Sequence, residues 1–302
     1  MKFLHAVFLL VALNSLAAKA AEPESSAAEK ITFTSFNIRW FGLGGEFSGL
    51  PSDEYRSKWL KEFITNNLAT SDVIVFEEIV DVTSLANDVL GQGWACVTYH
   101  HPEPRHQHVV LCHKDRFEFV KESDDDNFAI ESIAIDPVKS RPGLSGVLKL
   151  KDGRPLAHVV GLHLKADPEH SATRMGQAEQ LSSRLKQFSD GLPVVVLGDY
   201  NTHPAALTGA AKDDEMLIDE VFAKNEAGLT HVPNPFEFTY HLPEHGAKLD
   251  HIWVSSSLLR DSKIDVFSVC NSEAKEGVRF TDLMFYNRFV SDHCPITTTL
   301  GL

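Results

Sequence analysis

The chain has 302 residues, 43% hydrophobic, 9% aromatic and 23% charged, which excludes disordered, collagen-like and mini-protein readings. Its 28 Lys and Arg against 42 Asp and Glu give a formal charge of −14. That excludes a globally basic nucleic-acid coat, so any contact with phosphate falls to a local patch or to bound cations.

Residues 1–20 read as a secretory signal. Lys2 starts it, residues 3–16 are mostly apolar, and Ala18-Lys19-Ala20 meets the small-x-small cleavage rule. The apolar run is short and is interrupted by His5 and Asn14. No other stretch approaches the ~18 apolar residues of a spanning helix. The expectation is export to the periplasm or the exterior without stable membrane insertion. A flexible leader over 21–30 and one domain over 31–302 would follow.

Residues 31–38 alternate and are β-branched or aromatic, which predicts a strand followed by a Gly-rich turn over 42–49. Residues 53–68 place Tyr55, Trp59, Leu60, Phe63, Ile64 and Leu68 at helical spacing. A short apolar strand over 72–76 ends in Glu77-Glu78, and a second helix over 83–90 stops at Gly91. Residues 94–99 and 108–112 form a hairpin, as do 144–150 and 156–162, the latter joined through Asp152-Gly153. A helix over 171–188 precedes an apolar strand over 194–197. Further strands are expected over 249–254, 264–269 and 296–300, with a hairpin near 254–264. Strands through the whole chain with few long helices suggest two sheets packed face to face with helices outside.

Four cysteines, Cys96, Cys112, Cys270 and Cys294, allow three connectivities. Cys96 and Cys112 flank a His-rich turn between two apolar runs, which fits a cross-hairpin bridge and leaves Cys270 and Cys294 to pair. Buried free thiols are the other reading.

Polar residues recur at the ends of apolar strands: Asn37, Glu78, His163, Asp199 with Asn201, Asp250 with His251, and Asp292 with His293. Strand ends are rigid places to hold side chains. Such a set suits a hard cation like Mg²⁺, which needs only one or two carboxylates plus substrate phosphate. No zincin motif, phosphate-binding loop or dinucleotide fingerprint is present.

These residues carry a resemblance. Ser35-Phe36-Asn37-Ile38-Arg39-Trp40-Phe41-Gly42 resembles the opening of the Mg²⁺-dependent endonuclease/exonuclease/phosphatase superfamily, closest to deoxyribonuclease I-like secreted nucleases. Val75-Phe76-Glu77-Glu78-Ile79, Gly161-Leu162-His163-Leu164 and Gly198-Asp199-Tyr200-Asn201 resemble its next motifs. Leu249-Asp250-His251-Ile252 and Ser291-Asp292-His293-Cys294-Pro295 resemble its last two. Six matches in order, from about residue 31 to the C-terminus, imply an α/β fold. It is a four-layer α/β/β/α sandwich, two packed mixed β-sheets flanked by helices, with the site at one edge of the sheets.

The resemblance also implies roles. His293 is the general base, with Asp250 on its other ring nitrogen. Asn37 and Glu78 hold Mg²⁺, or Mn²⁺ in its place, with Asp292 joining through water. Asp199 and Asn201 orient the attacking water and hold a phosphoryl oxygen, with room for a second cation near Asp199. His163 is the general acid. The family pairs that ring with a Glu; here the comparable hairpin reads Arg105-His106-Gln107-His108, so Gln107 stands where the acid is expected. The family usually has Gln where this chain has Glu77. Arg141 grips phosphate, Arg39 reaches a DNA groove and Thr239 contacts phosphate. His100, His101, His106 and His108 are expected in a solvated loop. Asp124-Asp125-Asp126 is a solvated turn or a structural Ca²⁺ site.

Fold does not choose substrate. The first hypothesis is a monomeric, exported, non-specific DNA endonuclease. The alternative is a sphingomyelinase-like lipid phosphodiesterase, which should expose an apolar hairpin for bilayers. The 254–264 segment, Ser- and charge-containing, argues against it. A catalytically dead binding module would need losses at the motif residues, and none is seen.

Overall fold

The computed structural model describes residues 28–45, 49–122, 128–135, 140–260, 262–271 and 281–302. The expected export signal and the Asp124-Asp125-Asp126 triplet lie outside these residues. Within them, no helix is long and apolar enough to cross a membrane.

In chain order the strands begin with β1 (Lys30–Phe41), β2 (Val73–Ile79), β3 (Trp94–Val97), β4 (His108–Lys114) and β5 (Phe117–Val120). Next come β6 (Ala129–Ile130), β7 (Gly143–Leu150), β8 (Pro155–His163), β9 (Val194–Asp199) and β10 (Leu229–His231). The last are β11 (Tyr240–Leu242), β12 (His245–Ala247), β13 (Asp250–Ser255), β14 (Asp265–Val266) and β15 (Ile296–Gly301). One sheet runs β14-β15-β1-β2-β4-β3 and the other β10-β13-β9-β8-β7-β5, with β6 also on β7; β11 and β12 form a separate hairpin.

Parallel pairing occurs once in each sheet, β1 with β2 and β8 with β9. Each parallel pair needs a helical crossover. The Asp53–Asn67 helix supplies the first and the Ser171–Leu185 helix the second. Parallel strands point their carboxyl ends the same way, so Asn37, Glu78, His163 and Asp199 all arrive at one rim. Antiparallel β13 and β15 bring their starts to the same rim, Asp250 opposite Asp199 and Ile296 opposite Ser35.

The sheets pack face to face. Phe33, Val75, Leu111, Val159, Leu197 and Ile252 share one fully buried core drawn from both. Burying each such side chain is worth about 1.5–3 kcal/mol. Ala178, Leu181, Ile218 and Phe222, from the helices Ser171–Leu185 and Asp214–Lys224, cover the outer face of the second sheet against Val196 and Trp253. On the first sheet, Phe63 packs between Phe36 and Tyr286, with ring centroids 5.6 and 5.5 Å apart. This is the expected α/β/β/α sandwich.

Gly198 permits a close approach of β9 to β8. Its φ is +155°, and a Cβ there would lie 2.0 Å from Leu162 O. Both expected disulfides are present: Cys96 and Cys112 are directly opposite across β3 and β4, and Cys270 joins Cys294 ahead of β15.

Three expectations need correction. Residues 264–269 hold only the two-residue β14, because Ser268 turns the chain with φ +65°. The 254–264 segment is no hairpin: β13 runs into a short 3₁₀ turn, Ser256–Leu258. The leader does not extend to residue 30, since Glu29 pairs its backbone with Leu302 and Lys30 opens β1.

Candidate active site

The rim gathers the expected residues. The imidazole of His293 places Nδ1 2.9 Å from Asp250 Oδ2 and Nε2 3.7 Å from Asp199 Oδ2. The Asn37 amide nitrogen donates to Asp199 Oδ2 at 3.0 Å and to Glu78 Oε1 at 3.2 Å. His163 Nε2 lies 3.5 Å from the same Asp199 oxygen and 4.0 Å from Glu78 Oε1. Thus Asn37, Glu78, His163, Asp199, Asp250 and His293, distant in sequence, form one contiguous polar cluster.

Backbone shape aims several of them. Pairing of β1 with β2 shifts register beyond Asn37, and Glu78 takes a left-handed φ of +62°. Arg39, Trp40 and Asn201 are also left-handed, at +46°, +52° and +51°. Non-Gly residues in this region cost of order 1–3 kcal/mol and collect at functional sites. Here the turn at Glu78 breaks strand alternation, so both Glu77 and Glu78 face inward rather than on opposite faces. Trp40 N then donates to Glu78 Oε2 at 3.0 Å.

Two buried acids behave differently from surface carboxylates. Glu77 is fully buried and accepts from Ser35 Oγ at 2.9 Å. Burial, with the nearby Asp250 and Asp199, raises its pKa well above the ordinary value, which favours its protonated form. It stands where the family usually has Gln, which it matches in shape. Asp199 is pushed up to about 7 by burial, with Asp250 adding and His293 opposing. For His293, burial alone would lower the pKa, but Asp250 and Asp199 outweigh it and raise it well above the ordinary histidine value.

His163 departs from the expected cationic acid. Burial lowers its pKa well below the usual value, and Arg141 and His293 lower it further. Its Nδ1 meets no hydrogen-bond partner. Gln107, where a carboxylate was expected, instead accepts from Arg141. A neutral His163 can donate a hydrogen bond but is poorly suited to deliver a proton.

Other expected residues take different partners. Arg39 is anchored by Asp292, Nε to Oδ2 3.2 Å, and by Asn287 O at 3.2 Å, so neither Arg39 nor Asp292 is free. Asp292 is thereby committed to a cation already in the chain. Thr239 is fully buried, and its Oγ accepts from Leu249 N at 2.9 Å and Asp250 N at 3.0 Å. It positions the start of β13 rather than facing phosphate. Asn201 donates to Leu164 O at 3.1 Å while its backbone N–H binds Asp199 Oδ1 at 2.9 Å. The His-rich loop is solvated only in part: His100 and residues 102–105 are exposed, but His106 is buried, bonded to Tyr99 at 2.8 Å and stacked on His101.

Ser291 and Tyr240 belong to the site although their spacing did not single them out. Ser291 Oγ donates to Asn37 O at 2.7 Å and accepts from His293 N at 3.1 Å, binding two motifs together. The Tyr240 ring lies 5.0 Å from that of His293. Ser291 was visible as the residue opening the Ser-Asp-His string, whereas Tyr240 has no local signature.

The donor set fits a hard divalent cation. Two carboxylates, Glu78 and Asp199, converge on the Asn37 amide nitrogen and would supply the oxygens; Asn37 could add a third only through Oδ1, which here accepts from Arg39 N at 2.9 Å. Oxygen ligands of this kind are what Mg²⁺ takes.

The Endonuclease/Exonuclease/phosphatase family model matches residues 34–293, and the chain belongs to that family. No curated protein matches the chain. Among solved structures, D. rerio TDP2 complexed with single-strand DNA product superposes with TM-score 0.61 at 16% identity, covering 91% of this chain and 100% of that one. An endonuclease/exonuclease/phosphatase from Bacteroides vulgatus gives TM-score 0.60 at 18% identity, over 91% and 99% of the two chains. The human Nocturnin catalytic domain with bound sulfate gives 0.59 at 18%, over 90% and 93%. At these identities the likeness concerns fold.

Proposed function

We propose that this chain is an exported, Mg²⁺-dependent phosphodiesterase that cuts DNA endonucleolytically without sequence preference. The observation that carries the reading is the Asp250–His293 pair facing Asp199, Asn37 and Glu78 across one rim. Two disulfides are consistent with export, because such bonds persist in oxidising compartments. A divalent cation at Glu78, Asn37 and Asp199 supplies charge neutralisation at phosphorus when bound.

The chain's own groups do the rest. Asp250 and Asp199 favour a protonated His293. With the Asp199 carboxylate engaged by a cation, part of that negative charge would be withdrawn. The neutral ring then takes the proton from the attacking water at Nε2, while Asp250 holds Nδ1 and stabilises the resulting imidazolium. Asp199 and Asn201 orient that water and the phosphoryl oxygen. His163, neutral, steadies the departing oxygen by a hydrogen bond, so the leaving group takes its proton from solvent. Arg141 contributes positive charge beside His163. Arg288, beside the Asp292-paired Arg39, lines with Leu50, Leu242 and Met284 an open groove that offers positive charge to a sugar-phosphate backbone. The D. rerio neighbour was solved with single-strand DNA.

The test is the oxidised protein with supercoiled plasmid and Mg²⁺, with and without EDTA. Metal-dependent nicking that disappears in His293→Ala supports the reading. Intact plasmid with folded, metal-loaded protein defeats DNA as substrate and moves the same chemistry to other phosphodiesters.

A further inference from the structure

A second cluster lies behind the catalytic strands. His251 follows Asp250 on β13, so strand alternation turns it to the opposite face of the sheet. There it is fully buried. His231, the last residue of β10, places Nε2 3.1 Å from His251 Nδ1. Glu215, in the first turn of the Asp214–Lys224 helix, lies 3.2 Å from His231 Nδ1 and 3.9 Å from His251 Nδ1. One ligand atom from each of the three lies within 4.8 Å of the others.

Proton bookkeeping shows what the cluster needs. Thr202 Oγ lies 2.7 Å from Lys248 O and 2.7 Å from His251 Nε2. A carbonyl only accepts, so the one hydroxyl proton of Thr202 goes to Lys248 O, and His251 Nε2–H donates to Thr202. That leaves a lone pair on His251 Nδ1, aimed at His231. His231 thus faces an acceptor on each side, an imidazole nitrogen and a carboxylate. Only positive charge satisfies both: a second proton on the ring, or a metal ion in its place. Burial, with His231 adding, lowers the His251 pKa to about 3, so that ring is a neutral donor.

We propose that Glu215, His231 and His251 form a zinc site separate from the catalytic centre. Two imidazoles with one carboxylate suit a borderline cation such as Zn²⁺ and not Mg²⁺, which prefers oxygen. Bonds of about 2.0–2.1 Å put tetrahedral ligand atoms roughly 3.4 Å apart. With His231 Nε2 as its ligand atom the two imidazole nitrogens stand 3.1 Å apart, and the partly exposed Glu215 carboxylate, 3.9 Å from His251 Nδ1, would turn from His231 Nδ1 toward the ion. The rings are already oriented: Thr202 fixes the His251 tautomer, and buried Trp253 packs 4.5 Å from His231. Thr202, His203, Glu215 and Lys248 line an open cleft that gives an ion access. Lys248 is the opposing charge, and its ammonium is held by Asn234 O at 3.0 Å. The ion would clamp the Asp214–Lys224 helix to β10 and β13, one residue behind Asp250. The site does not depend on the substrate of the catalytic centre.

The experiment is Zn²⁺ titration of the full oxidised chain by calorimetry in excess Mg²⁺, with metal content read after desalting. About one Zn²⁺ per chain is expected, raising the melting temperature. His231→Ala and Glu215→Ala should each weaken it at least about 100-fold, while His293→Ala retains it. No bound Zn²⁺ in the wild type, binding unchanged in both variants, or loss only in His293→Ala overturns the proposal. Co²⁺ gives a second measurement on the unaltered chain. An intense visible absorption abolished by Zn²⁺ is expected; the weak spectrum of an all-oxygen octahedral ion contradicts the site.

Discussion

Asp250 Oδ2 stands 2.9 Å from His293 Nδ1, and it does so from a strand whose first residue is Asp250 itself. The contact joins positions 43 residues apart and leaves Nε2 turned toward Asp199. Its partners are fixed too, since Thr239 holds the backbone of Asp250 and Ser291 holds that of His293.

An oriented general base is typically worth about 10²–10⁴ in rate. His293→Ala should therefore lose at least that factor in phosphodiester hydrolysis. Asp250→Asn should lose a similar factor while circular dichroism stays unchanged, because Asn preserves shape but presents the wrong partner to Nδ1. Steady-state rates on a plasmid or a chromogenic phosphodiester check both. Wild-type turnover in either variant removes the pair from the chemistry.

Glu77 and Glu78 are neighbours with opposite expectations. Glu77 is a buried acid of raised pKa bonded to Ser35, and Glu77→Gln keeps its shape and that bond, so activity should stay within about threefold. Glu78 reaches Asn37 with a carboxylate. Glu78→Gln removes charge from the proposed cation site and should cost about 10²–10⁴ in rate, with weakened Mg²⁺ dependence. Mg²⁺ titrations of both variants decide between them, and equal losses would refute the distinction.

Order and placement of the candidate site residues were legible in the chain because they lie at or near the ends of apolar strands, and strand ends survive folding as a rim. Tertiary partnerships were not legible. Gln107 and Arg141 are 34 residues apart and bond to each other, while His163 Nδ1 finds no partner. The raised pKa of Glu77 follows from its complete burial, with Asp250 and Asp199 adding, which no local pattern states. Arg39 and Asp292 read separately as a DNA contact and a cation ligand; the fold makes them partners. His231 and His251 sit on a hydrogen-bonded strand pair, and Glu215 comes from a helix, with no motif spacing to announce them.

His158 offers a test away from the site. It lies between Asp190, 2.9 Å from Nε2, and Glu122, 3.5 Å from Nδ1, and stacks on Phe188 at 4.0 Å. Burial alone would lower its pKa, but the nearby Glu122 carboxylate and the bond to Asp190 prevail and raise it above 6.5. Burial likewise works against Asp190, whose bond to His158 still brings it below 3.8. The raised histidine stabilises fully below about pH 6.5, and that contribution fades as pH rises through its folded value. The lowered carboxylate stabilises above about pH 3.8 and loses its contribution as pH falls through its folded value. His158→Gln should therefore cost most stability between about pH 4 and 6.5 and progressively less toward pH 8. Melting curves across that range check it; a cost that grows with pH contradicts the sign.

The Cys270–Cys294 bond is the covalent support closest to the chemistry. Cys294 follows His293, and its N–H donates to Thr239 O at 2.7 Å, the same threonine that holds Asp250. A bond closing a separation of 24 residues contributes about 3 kcal/mol through the unfolded state. For a chain this size that corresponds to a fall of roughly 6–12 °C in melting temperature. The Cys270→Ser/Cys294→Ser double variant should show that fall and should lose activity at temperatures where it is still folded, because the strand start bearing His293 loses its tether. The Cys96→Ser/Cys112→Ser variant removes a bridge across β3 and β4, at an edge of the first sheet. It should lose stability with full activity below its melting point. Assaying both variants several degrees below their own midpoints separates the two effects. Equal specific activity in the two would show that the second disulfide supports the fold alone.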